Sequence, residues 1–261
     1  MTPVLYTTNL SKAQGIIPET LELLDLWEPG MSGAELKNRV RAIGALGKAS
    51  QVRVDDVVGR GFAQRLLVDQ GRPAQCLKLL MQAGCSRSLL RQLILIYTCR
   101  ANSILRDFLR DVYWRKVKTG AGEVSKQDTR DFLEHAVALG LIKPRWSDNM
   151  MERVTRYLLG TLEDFELIAT NRFGQRQTRQ VILQPHTAVY LAYDLHFAGL
   201  SEEQIPAAPD WGAFGLSSAQ VVAELESAAA HGHMLVQYSG AILRIEWKYP
   251  SMEELARALT R

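Results

Sequence analysis

Hydrophobic positions in the first 120 residues recur at three- and four-residue spacing, the period of helices that bury one side. In PETLELLDLWEPG, Leu21, Leu24 and Trp27 share a face, a proline stands near the start and Pro-Gly closes the run. SGAELKNRVRAIGALG opens on a serine cap, repeats Leu36, Val40 and Ile43, and ends on glycine. Further helices are expected around VDDVVGRGFAQRLLVDQG and PAQCLKLLMQAG, although the glycines inside the first weaken its propensity. SRSLLRQLILIYTCRANSILRDFLRDVYWRKVKTGAGE then predicts two helices, or one long bent one, closed by a glycine-rich break.

From Ser125 the pattern changes. SKQDTRDFLEHAVALGLI (125–142) is a serine-capped helix whose buried side is drawn from Phe132, Val137 and the Leu139–Leu141 turn, with Gly140 as its stop. SDNMMERVTRYLLGTLEDF (147–165) is capped again and carries Met151, Val154, Leu158 and Leu162 as an apolar stripe. FELIAT (165–170) and QVILQP (180–185) read as strands around the loop NRFGQRQTRQ (171–180). Helix, turn, helix, hairpin is the order of a winged helix-turn-helix, with the loop as its wing.

A similar order returns near the C-terminus. SSAQVVAELESAAAHG (217–232) predicts a capped helix, HMLVQYSGAILRIEWKY two strands around Ser239-Gly240, and SMEELARALTR a short amphipathic helix. The expected fold is therefore mainly α. A helical N-terminal bundle (1–120) precedes a winged-helix-like region (121–261) that ends in a second, small helix–hairpin unit.

Composition narrows the function. Of the 261 residues, 47% are hydrophobic and 23% charged, the profile of a globular chain. A net charge of +3 neither requires nor excludes a nucleic-acid partner, so the distribution of charge decides. No stretch offers the ~20 apolar residues of a membrane span, and the N-terminus lacks the order of a secretory signal. Cys76, Cys85 and Cys99 form neither a zinc pattern nor a disulfide framework. A reducing cytoplasm is the expected compartment.

No catalytic signature is present, and GRGF and GAGE lack the lysine and context of a phosphate-cradling loop. His231-Gly-His233 has no acidic or cysteine partner at a usual ligand spacing, so neither a metal nor another cofactor is expected. What remains is basic charge. The wing carries Arg172, Gln175, Arg176 and Arg179 without an acidic residue, which suits phosphate contact or minor-groove entry. On the helix before it, Arg153 and Arg156 lie opposite the apolar stripe, with Arg145 and Asn149 at or before its start. Asn149 and Arg153 have the chemistry to read adenine and guanine edges from a major groove. Asp148 and Glu152 oppose close phosphate approach, and an ordinary amphipathic helix beside a solvated loop is the plainer alternative.

The stretch from Arg87 to Lys118 is a second basic region, with Tyr97, Tyr113 and Trp114 available for stacking. Tyr97 is expected in the core instead, and some of the arginines are expected to pair with the acidic first helix.

LYTTNLSKAQGIIPETLELLDLW, with Glu19, Thr20 and Leu21 in an ETL-type helix start, resembles the opening of BrxA proteins of bacteriophage-exclusion (BREX) defence systems. LLRQLILIYTCRANSILRDFLRDVY and the capped helical pair from Ser125 are similar to that family's central helices, and the likeness spans residues 5 to 200. The resemblance implies a non-enzymatic, mostly helical protein that binds double-stranded DNA beside other BREX defence proteins. A protein–protein adaptor and an RNA-binding helical module are the alternatives.

Overall fold

The computed structural model describes residues 5–47, 49–239 and 242–259. The chain packs into two compact units. One is built from residues 1–68 and 97–181, the other from 69–96 and 182–261.

In the first unit, α1 (Ile17–Leu26) and α2 (Gly33–Ile43) form as their apolar spacing predicts. Ser32 and Glu35 complete a capping box at the start of α2, and Gly44 ends it in the left-handed conformation at φ 66°. Leu36 and Val40 are buried as expected, but Ile43, the last residue of α2, is exposed. The glycine-bearing stretch is helical after all. α3 (Gln51–Val54) runs through wider, π-type turns (Asp55–Ala63) into α4 (Gln64–Leu66). Gly61 is required there because a side chain would collide with Ile16 and Ala13.

Arg65 is buried under this segment. Its guanidinium donates to the backbone carbonyls of Ala13, Gln14 and Gly15, while Gly15 N–H donates to Asp164 Oδ2 at 2.9 Å. The residues leading into α1 are thereby tied to a far part of the chain. Burial raises the Asp164 carboxyl above its ordinary range, opposed mainly by that Gly15 hydrogen bond.

α6 (Arg87–Ala101) leads into α7 (Ser103–Phe108), π-type turns (Leu109–Tyr113) and α8 (Trp114–Thr119), stopped by Gly120. The break at Asn102 resolves the sequence's choice in favour of two helices. Tyr97, Tyr113 and Trp114 are buried, so none is free to stack on a base. Arg106 and Arg110 pair with Asp107 and Asp111, and Lys116 with Asp128, all outside the acidic first helix. In that helix Glu19 pairs with Arg53.

α9 (Lys126–Ala138) and α10 (Asp148–Asp164) are the predicted capped pair, joined through a cis Lys143–Pro144 bond. The buried face of α9 is Thr129, Phe132, Leu133 and Ala136. Leu139 is exposed, because the helix has ended before it. All four stripe residues of α10 are buried. The hairpin that follows is shorter than expected. β1 (Ile168–Thr170) pairs antiparallel with β2 (Arg176–Thr178), so QVILQP is not a strand. Pro185 instead opens α11 (Pro185–Phe197).

The second unit contains α5 (Arg72–Gln82), α11, α12 (Ser218–Ala229), the hairpin of β3 (Met234–Ser239) and β4 (Ile242–Trp247), and α13 (Met252–Ala258). α11 packs against α12 and α13, and α5 against α13. The second hairpin pairs in the register Met234↔Trp247 to Ser239↔Ile242. Gly240, the expected turn residue after Ser239, lies outside the described residues. Gln92 secures the entry to α11: it donates to Ile182 O and accepts from Gln184 N and Thr187 Oγ1 at 2.8, 3.0 and 2.8 Å. Buried Tyr193 accepts from Lys248 N and Tyr249 N and donates to His233 O, joining α11 to both ends of the hairpin.

Candidate nucleic-acid interface

The β1–β2 hairpin, the expected wing, follows the C-terminal end of α10. Glu163, near that end, accepts from Thr170 Oγ1 and lies 3.4 Å from Arg176 Nε. Arg176 is therefore half-buried and partly neutralised, which the loop's own sequence does not show. Arg172, Gln175 and Arg179 are exposed.

Residues 122–124 back the hairpin. Thr178 N–H donates to Gly122 O at 2.8 Å and Val124 N–H to Arg176 O at 3.0 Å. Glu123 and Gln177 pair antiparallel. The glycine-rich break after α8 thus supplies a single antiparallel bridge beside β2. Buried Tyr113 adds a second anchor, its hydroxyl 2.9 Å from Leu167 O and 2.8 Å from Arg179 O. These bonds hold the base of the hairpin.

Asn171 shapes the tip. Its Oδ1 accepts from Phe173 N and Gln175 N at 2.9 and 3.0 Å, and its amide nitrogen donates to Gln175 Oε1 at 2.9 Å. Gly174 closes the turn at φ +78°, where an L side chain would be strained. Gln175 thus uses one acceptor site of its side-chain oxygen inside the loop, and its amide hydrogens face outward from that bond.

The eight candidate residues do not form one patch. Asn149 and Glu163 are 14 residues apart on α10, which at ~1.5 Å per residue puts the helix start about 21 Å from the wing. At that start, Arg145 bonds to Glu134 and Asp148 at 2.8 and 2.9 Å. Asn149 lines a cavity of about 520 Å³ shared with Asp131, Glu134, Asp148, Glu152 and Arg130. Arg130 and Glu152 pair at 2.5 Å, which lowers the Glu152 carboxyl below its ordinary range. Carboxylates dominate here, so this end of α10 repels phosphate.

Arg153 and Arg156 occupy the middle of α10. Both guanidinium groups stand over the Tyr157 ring, 5.8 and 5.9 Å from its centroid. Arg156 lies seven residues before Glu163, two turns back along the same stripe. Among the described residues, Arg153, Arg156, Arg172 and Arg179 form no ion pair with a carboxylate. Two features were missed in the sequence. One is the bridge from residues 122–124 to β2, in a stretch read only as a break. The other is Phe173, an aromatic residue in an otherwise polar loop, which is 72% exposed.

No group of three or more His, Cys, Asp or Glu among the described residues could hold a metal ion. None of their helices is long and apolar enough to cross a membrane.

These features define a mainly helical protein that presents a short, backed, arginine-bearing hairpin. The BrxA family model matches residues 4–194, and the chain belongs to that family, which makes it a BREX-associated protein. No curated protein matches the chain. Among solved structures, an uncharacterized protein from Magnetospirillum magneticum shares the fold, with a TM-score of 0.60 at 14% identity over 74% of this chain and 94% of that one.

Proposed function

We propose that this BrxA-family protein binds double-stranded DNA without catalysis, mainly through phosphate contacts from the wing and the middle of α10, in phage defence. The observation that carries the reading is the pairing of residues 122–124 with β2. It supports a winged helix-turn-helix order, in which α7–α8, the bridging residues, α9, α10 and the β1–β2 hairpin follow one another. Four unpaired arginines on that frame supply a counterion-releasing surface. The acid-lined end of α10 departs from the usual scheme, in which the helix start reads base edges. Contact therefore centres on Arg153, Arg156, Arg172 and Arg179, with little base discrimination.

The acid-lined cavity gives some support to a second reading, a protein–protein adaptor among BREX components. Fluorescence anisotropy with duplex DNA, duplex RNA and single strands across a salt series separates the two. DNA binding requires tighter, salt-sensitive association with duplex DNA, whereas equally weak binding to all three favours the adaptor.

A further inference from the structure

Phe173 is an unusual residue to leave at the end of a polar loop. Among the described residues it is the one phenylalanine or tryptophan classed as exposed, at 72%. The loop does not let it fold back. Asn171 Oδ1 holds the Phe173 amide at 2.9 Å, Gly174 N–H closes onto Asn171 O at 3.0 Å, and the bridge from residues 122–124 secures the base. The Arg172 guanidinium stands over the Phe173 ring, 4.8 Å from its centroid. An aromatic ring and a cation thus share the tip of the hairpin.

We propose that Phe173 is a wedge that enters the minor groove of duplex DNA and partly unstacks one base step. The inference rests on the DNA-binding reading above. A narrow groove concentrates negative potential, which draws Arg172 in and brings the ring to the base edges. Apolar side chains inserted between steps kink a duplex toward the major groove, and pyrimidine–purine steps yield most readily. The wing then contributes more than charge. It favours deformable sites without hydrogen bonding to any base, so such discrimination as exists follows flexibility rather than sequence.

The test uses the full chain with short duplexes carrying 2-aminopurine at a central TA step or within a stiff A-tract, end-labelled for energy transfer. The wild-type protein should raise 2-aminopurine emission about twofold or more at the TA step and shorten the end-to-end distance. F173A should lose both effects while keeping its melting temperature and the salt dependence of binding, and F173L should retain part of each. Wild-type binding without unstacking, or an F173A that unstacks equally well, overturns the wedge and leaves DNA binding intact. A rise seen with single strands alone also overturns it. Failure of the wild-type protein to bind any duplex overturns both readings.

Discussion

Arg65→Met is expected to destabilise the protein by about 2–5 kcal/mol, the cost of leaving buried carbonyls without donors. The magnitude follows from the local geometry. The side chain is 3% exposed, and burial holds its pKa down at about 10. Burial therefore disfavours the charged guanidinium, a cost that its partners must offset. Three hydrogen bonds from the charged group to Ala13, Gln14 and Gly15 oppose it, each contributing about 1.5–3 kcal/mol. Methionine keeps much of the apolar stem but supplies no donor. Urea unfolding should show a lower midpoint with an unchanged slope, and Tm should fall by about 2–4 °C per kcal/mol for a chain of this size. Arg65→Lys, with one ammonium for three carbonyls, should fall between. A methionine variant within about 0.5 kcal/mol of the parent refutes the reasoning, since that is the range of a neutral surface change.

The double variant R106A/R110A should lower stability by about 1–3 kcal/mol, because Asp107 would keep only the Tyr6 hydroxyl among the partners shown here. Its DNA affinity should not change; a variant with the parent's Tm and no DNA binding would reverse that assignment. The second unit should also respond to pH. His186 lies with its ring centroid 5.2 Å from His231 and 5.4 Å from His233, and Lys248 and Tyr249 adjoin His233. Burial first, and the neighbouring imidazoles second, lower the pKa values of His186 and His233. Their contribution to stability is thus full above the unfolded value near 6.5 and is lost as pH falls through the depressed folded values. Chemical unfolding between pH 7.5 and 5 should show this loss, and His186→Gln should flatten it. An unchanged pH profile in that variant would count against the cluster.

Local signals in the sequence carried most of the helical framework. Ser32, Ser125, Ser147, Ser217 and Ser251 each cap the helix they precede, since a side-chain oxygen reaching back to a free N–H is a short-range device. The stripe on α10 was legible for the same reason. α11 was not, because every residue from Thr187 to Leu195 is buried and no polar face marks its period. QVILQP misled through its β-branched content, while Pro185 was in fact a helix start. The union of residues 69–96 with 182–261 depends on long-range contacts that no local period encodes. At the candidate site, the arginines were visible but their partners were not. Nothing in the loop announces that Glu163 holds Arg176, or that Glu134 and Asp148 hold Arg145.

The central claim is that arginines on the wing and on α10 meet phosphate. Its most direct test is the salt dependence of duplex DNA affinity in the parent and in R172A/R176A/R179A. Four unpaired arginines predict a log–log slope of about −3.6 for the parent. The triple variant should remain folded, because the turn is set by Asn171 and Gly174, and its slope should be shallower by about 2. Arg176 should add little to that change, being held by Glu163. A folded triple variant that binds duplex DNA as tightly as the parent at every salt concentration would contradict the account.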